Sequence, residues 1–199
     1  VDPGTRRIFH LTHLKNLAGI LSSGQILSDA AGARPVVDIS ATDNRLLRRE
    51  MSAGSATVAA YVPFLLAADA AMWEGLRSGD ANFRLSEESQ HIPVSEFVIL
   101  VGSVRGAGAD ALITDGDAAD PATRFSSPAM LGGRMPRRDF EEEDSLRYAE
   151  FLVPNAFPFS SVTLVGVAND KVRARVRELI GVHGFTQKVS VYPPWFQRP

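Results

Sequence analysis

The sequence predicts an α+β fold, a mostly antiparallel central β-sheet flanked by helices. Three observations predict the class. Short runs of β-branched, aliphatic and aromatic residues recur through the middle and end of the chain. Helical periodicities lie between and around them without a regular strand–helix alternation. The 199 residues, 45% hydrophobic and 22% charged, are enough for one sizeable core of ordinary globular composition. No repeat, low-complexity tract or linker divides the chain, so one domain over 1–199 is expected, with residues 1–5 an expression remnant, a processed start or disordered.

Ile8–Thr12 reads as a short strand. His13–Ser23 follows as an amphipathic helix, with Leu14, Leu17, Ala18 and Leu21 at helical spacing and Gly24 where a C-cap glycine belongs. Ser28–Ile39, with Ala-Gly-Ala-Arg-Pro inside it, is a loop. Thr42 or Asp43 is placed to cap a helix over Asn44–Met51. Val58–Leu66 favours a strand, but Pro63 cannot donate to a ladder and should sit at an edge or a bulge. Ala67–Arg77 is helical and Ser78–Pro93 a polar loop. Glu96–Val104 is a buried strand, and Ala111–Thr114 a second one ending at the turn Asp115-Gly116. Arg134–Asp144 is charged and of undetermined form. Ala149–Val153 and Val162–Val167 are strands. Asn169 or Asp170 caps a helix to Ile180 that stops at Gly181, and Gln187–Tyr192 is the final strand.

Several classes of chemistry are excluded. The chain has no cysteine, which removes disulfides, zinc–thiolate sites and thiol nucleophiles, and its four histidines form no ligand pair, so no metal is expected. It has no P-loop, no GxGxxG after a strand and no GxSxG elbow. No run is apolar enough to span a bilayer and Val1–Thr5 lacks the features of a signal peptide, so no membrane association and a cytoplasmic location are expected. A formal net charge of −2 gives no global pull toward nucleic acid. The basic residues, however, are nearly all arginines, which grip phosphates and carboxylates with two prongs; they cluster at Arg45, Arg48 and Arg49, at Arg134, Arg137 and Arg138, and at Arg173, Arg175 and Arg177. Each cluster is either solvated surface or one wall of a basic cleft.

Three local features could carry chemistry. His10 and His13 flank a strand-to-helix junction, where a ring either satisfies the backbone or meets a ligand hydroxyl. Arg48-Arg49 is a solvent-facing pair or part of a site. Glu150 opens an apolar strand; a carboxylate beside Phe151 and Leu152 is costly to bury unless paired, so it is edge-exposed or deliberately placed in a cleft.

Taken in order, these features resemble the DarT family of NAD-dependent ADP-ribosyltransferases that modify bases of single-stranded DNA. The resemblance rests on Phe9-His10-Leu11-Thr12-His13 with Asn16-Leu17, on Arg48-Arg49 ahead of Tyr61-Val62-Pro63-Phe64, on Thr114-Asp115-Gly116 with Ala118 and Thr123-Arg124-Phe125, on Ala149-Glu150-Phe151-Leu152-Val153, and on the terminal Trp195-Phe196. It runs from about Ile8 to Phe196. It departs after the Tyr-Val-Pro-Phe strand, where Leu65-Leu66 and then Ala67–Trp73 stand with only Met72 of the family's Arg-Ser-Pro-Met stretch. It departs again at Asp117, where members commonly carry His or Asn.

The resemblance implies a division of roles. Glu150 is the catalytic carboxylate and Arg49 the arginine at the active centre, with Arg48 the alternative in a shifted register. His10, Thr12, Asn16, Leu17, Arg48 and Tyr61 are expected to contact NAD, and the segment Ser28–Ser52 to fold over it. Met72, Trp73, Asp117 and Arg147 are expected on the acceptor side, with Tyr61, Phe64 and Trp73 each either a core residue or available for stacking. Cleavage of the nicotinamide–ribose bond develops positive charge at C1″, which a glutamate beside the sugar stabilises, as in glycosidases. The implied co-substrate is NAD, with no metal. The implied acceptor is thymine in single-stranded DNA, and the implied setting a toxin or phage-defence effector with a macrodomain antitoxin as partner. Two other readings stand beside it: the same chemistry on guanine, RNA, protein, a small molecule or water, and a module that binds nucleotide or nucleic acid without turnover.

Overall fold

A computed structural model describes residues 3–79, 82–129 and 147–197; the charged segment 134–144 and its arginines lie outside them. Strand β1 (Arg7–His13) leads through a 3-10 turn into α1 (Leu17–Ser23) and β2 (Gln25–Leu27). A long loop then reaches α2 (Thr42–Glu50), the hairpin β3 (Ser52–Ala53) and β4 (Ala56–Thr57), and β5 (Tyr61–Leu65). Helices α3 (Ala71–Ser78) and α4 (Glu87–Gln90) precede β6 (Phe97–Ser103), β7 (Leu112–Thr114) and β8 (Phe125–Ser126). The chain closes with β9 (Glu150–Pro154), β10 (Ala156–Pro158), β11 (Leu164–Val167), α5 (Asp170–Val182) and β12 (Lys188–Val191).

Eight strands form one sheet in the order β12-β11-β6-β1-β5-β9-β7-β8. Every neighbouring pair is antiparallel except β11 and β12. The expected α+β class with a mostly antiparallel sheet is therefore what the chain adopts. β6 is buried on both faces, which is why it reads as a continuous apolar run. Its alternate residues supply two cores: Val98 and Leu100 pack with Leu17, Leu21, Val176 and Ile180 beneath α1 and α5, while Phe97, Ile99 and Val101 pack with Trp73, Leu76 and Phe196 beneath α3.

Several boundaries differ from the sequence reading for local reasons. His13 stays extended and its Nδ1 accepts from the Lys15 amide at 3.1 Å, so the first helix begins as a 3-10 turn and becomes α-helical only at Leu17. α2 starts at Thr42 with Ala41 in the cap position and no side-chain cap. Asp43 instead lies in its first turn and Arg48 and Arg49 in its last, both favourable to the helix dipole. Within the expected loop 78–93, Ser86 caps α4 by accepting from the Ser89 amide at 3.2 Å. The cap of α5 is as expected: Asn169 Oδ1 accepts from the Val172 amide at 3.0 Å.

Pro63 lies in an interior strand, against the expectation of an edge or bulge. β5 pairs with β9 along its whole length but meets β1 at one register point, Phe9↔Leu65. The Pro63 carbonyl accepts from His10 Nδ1 at 2.9 Å, on the β1 side. In an extended residue the amide and carbonyl face the same neighbour, so the missing N–H also faces β1, where the ladder is open.

The C-terminal turn is fixed to the sheet by a close approach. A Cβ on Gly166 would come within 2.6 Å of Trp195 Cζ3, so the indole lies directly over that backbone. Trp195 also meets Phe9 edge-on at 5.7 Å, and its carbonyl accepts from Trp73 Nε1. Gly166→Ala should therefore lower stability by about 1–3 kcal/mol through forced displacement of the indole, measured as the shift in a denaturant unfolding midpoint.

Candidate active site

The divergence of β1 from β5 opens a cleft of about 450 Å³ in the sheet. Its walls carry His10, Leu11 and Thr12 from β1, Tyr61, Pro63 and Leu65 from β5, Asn44, Arg45 and Arg48 from α2, and Glu150 from the first position of β9. The loop between β2 and α2 closes one side with Ser28, Asp29 and Val37–Ser40.

Glu150 is 7% exposed, its carboxylate held by one arginine and one backbone amide. Arg48 grips it with two prongs, Nη1 to Oε1 at 2.9 Å and Nη2 to Oε2 at 3.0 Å. The Ala118 amide donates to Oε1 at 3.0 Å. The Glu150 amide donates to Thr114 Oγ1 at 2.7 Å, and that hydroxyl donates to the Gly116 carbonyl at 2.6 Å. The Thr114–Ala118 turn thus fixes both backbone and carboxylate, which offsets the desolvation of a charge at the head of an apolar strand. Burial works against the Arg48 charge, but the Glu150 carboxylate, by charge and by hydrogen bond, and Asp117 more distantly, raise its pKa above the ordinary arginine value. Arg48 is a permanent cation here.

The arginine that meets Glu150 is therefore Arg48, one position before the residue expected at the active centre. Arg49 is half exposed and donates to Asp29 at 2.7 and 3.1 Å from Nε and Nη2. The reason is helical phase: successive side chains turn by about 100°, so Arg48 and Arg49 point to different groups. Asn44 and Arg48, one turn apart, face the cleft together, while Arg49 braces the loop through Asp29.

His10 lines the cleft as expected. A carbonyl can only accept, so its Nδ1 carries the proton that goes to Pro63, and Nε2 is an acceptor in the neutral ring. Burial lowers its pKa, against the opposing pull of the Pro63 carbonyl. Thr12 and Asn16 also line the cleft, but the Asn16 amide is committed to holding the loop: Nδ2 donates to the Val37 carbonyl at 2.9 Å and to Thr12 Oγ1 at 3.2 Å, and Oδ1 accepts from the Val37 amide at 2.9 Å. Leu17, expected at the ligand, is fully buried in the core beneath α1 and does not reach the cleft. Tyr61 does, with its hydroxyl donating to the Ala53 carbonyl at 3.2 Å.

On the expected acceptor side, Met72, Asp117 and Arg147 line the cleft, whereas Trp73 and Phe64 are core residues at 0% and 1% exposure. An indole that large, packed against Phe97 and Phe196, is not free to stack on a base. Arg147 pairs with Glu74. Asp117 pairs with Arg84, a residue the sequence reading did not single out, whose guanidinium lies 4.3 Å from the Tyr148 ring centroid and 4.2 Å from that of Phe83. Arg84 and Tyr148 are both cleft residues, and nothing local in sequence ties them to Asp117.

His13 is 1% exposed, with Nε2 3.3 Å from Glu96. Burial lowers its pKa below 6.5, only partly opposed by Glu96. His10 and His13 therefore both bind protons more readily in the unfolded chain, and the stability this represents is present above pH 6.5 and lost as pH falls through the lowered values. The thermal midpoint should fall between about pH 7 and about pH 5, and less steeply in His13→Gln.

Comparisons with known proteins bear on this geometry. The family model described as ssDNA thymidine ADP-ribosyltransferase, DarT, matches residues 9–197. A DNA ADP-ribosyl transferase of Mycobacterium tuberculosis (strain ATCC 25618 / H37Rv) is 28% identical over 204 residues, spanning 94% of this chain and 86% of that protein. The structure of Thermus sp. 2.9 DarT in complex with ADP-ribosylated ssDNA superimposes with a TM-score of 0.80 at 20% identity, covering 96% of both chains. The same Thermus protein in complex with NAD+ gives 0.77 at 22% identity over 98% of this chain and 100% of that one.

Proposed function

The chain belongs to the DarT family of single-stranded-DNA thymidine ADP-ribosyltransferases, and on that premise we propose that its cleft binds NAD and that Glu150 and Arg48 carry the transfer of ADP-ribose to thymine. It is an NAD-dependent ADP-ribosyltransferase, and we take 1–199 as one domain of that activity. The observation that supports these site assignments is the two-pronged, buried Arg48–Glu150 pair on the cleft wall.

The chemistry assigns each member a task. The bond between ribose C1″ and the nicotinamide nitrogen breaks, and nicotinamide leaves with the electron pair. A base nitrogen forms the new bond to C1″ and releases its proton to solvent. Glu150 is the anion beside the developing oxocarbenium; with Oε1 taken by Arg48 and Ala118, Oε2 retains a lone pair for a ribose hydroxyl. Arg48, a permanent cation, is no proton acceptor and instead offsets negative charge on the base as its N–H is lost. His10 Nε2 accepts from a ribose hydroxyl. Arg45, Arg84 and Arg147 give the cleft cations for the diphosphate and the DNA backbone. Asp117 and Met72 lie on the acceptor side. A toxin's role beside a macrodomain antitoxin belongs to the same proposal.

The test is incubation of the protein with NAD and single-stranded oligonucleotides that contain or lack thymine. A gain of one ADP-ribose unit on the thymine-containing strand alone is expected. NAD consumption with no mark on that strand would move the acceptor elsewhere, and no NAD consumption would sink the proposed activity.

A further inference from the structure

We propose that Asn44 is a co-substrate-binding residue, its side-chain oxygen accepting a hydrogen bond from bound dinucleotide; this rests on the NAD reading of the cleft. Asn44 is 6% exposed, yet its Oδ1 has no hydrogen-bond partner. A buried amide oxygen left unpaired is costly and uncommon. Its amide nitrogen donates to Ser40 Oγ at 3.2 Å, which fixes the plane of the group and leaves the oxygen buried without a partner. Both Asn44 and Ser40 line the cleft.

The placement narrows what the oxygen meets. Asn44 precedes Arg48 by one turn of α2, so its Cβ lies about 5–6 Å along the same face from that of Arg48, whose guanidinium holds Glu150. An amide oxygen takes a donor. On NAD the diphosphate offers only acceptors, which leaves ribose hydroxyls and the amine groups at the two ends of the molecule. The diphosphate is therefore not its partner; a hydroxyl or N–H of the dinucleotide is. Asn44 also differs from Asn16, whose amide nitrogen and oxygen both have partners, in Val37 and Thr12.

The test combines affinity with stability in Asn44→Leu, a substitution that keeps the branching at Cγ and removes the acceptor. The variant loses the bond to Ser40 together with the unpaired oxygen, so its thermal midpoint should change little, while NAD binds roughly ten-fold more weakly by calorimetry. ADP-ribose as a second probe separates the sources. Equal weakening for NAD and ADP-ribose puts the donor on the ADP-ribose portion; weakening for NAD alone puts it on nicotinamide. A lowered midpoint with unchanged affinity for both would overturn the proposal and leave Asn44 a structural residue. Failure of wild-type protein to bind either probe would instead overturn the NAD reading itself, and the proposal with it. Asn44→Ser, shorter but with a hydroxyl acceptor, should recover part of the lost affinity if acceptance is the role.

Discussion

Glu150→Gln should lower transfer of ADP-ribose by about a thousand-fold while leaving the protein folded. The amide keeps the shape of the carboxylate and one acceptor oxygen for Arg48 and Ala118 but removes the negative charge that faces the developing cation at C1″. Glu150→Ala should lose as much activity and more stability than Glu150→Gln, because both variants remove the counter-charge of Arg48 but only Ala also removes the acceptor oxygen for Arg48 and Ala118. The contrast between the two variants separates the chemical role from the structural one. Initial rates of transfer, set beside thermal unfolding of the same preparations, check both. If Glu150→Gln turns over at the wild-type rate, the carboxylate charge is not part of the chemistry.

Arg48→Ala should cost about a hundred- to a thousand-fold in transfer, and Arg49→Ala no more than about two- to three-fold. These neighbours look interchangeable in sequence, but one is buried against Glu150 and the other is half exposed against Asp29. Arg48→Lys keeps the positive charge but cannot reproduce the fork that engages both carboxylate oxygens, so it should recover only part of the loss. Steady-state rates at saturating NAD decide between the two arginines, and a larger loss from Arg49→Ala than from Arg48→Ala would reverse the assignment.

The fold was largely legible because its determinants are local. The apolar run of β6, the glycine after α1 and the asparagine before α5 each act within a few residues of where they stand. The place of Pro63 was not legible, because it depends on two strands that touch at one register point and then part. Of the site, Glu150 could be picked out: a carboxylate opening an apolar strand requires partners. The choice of Arg48 over Arg49 needs the phase of a polar helix, which carries no apolar stripe to fix it. Arg84 needs a contact across 33 positions to Asp117. Leu17 and Trp73 were drawn toward the ligand by the company they keep in sequence, and packing put both in the core. Asn44 had a signal available, one helical turn before Arg48 on the cleft-facing side of α2, but its unpaired oxygen is visible only in three dimensions.

The central claim is that ADP-ribose passes from NAD to DNA at the Arg48–Glu150 pair. Its most direct measurement is the intact mass of a thymine-containing single strand after incubation with NAD and, in parallel, wild-type protein, Glu150→Gln, Arg48→Ala and Arg49→Ala. One added ADP-ribose unit is expected with wild type and Arg49→Ala, and an unmodified strand with the other two. An unmodified strand with wild type, or a full mark left by folded Glu150→Gln or Arg48→Ala, would contradict it.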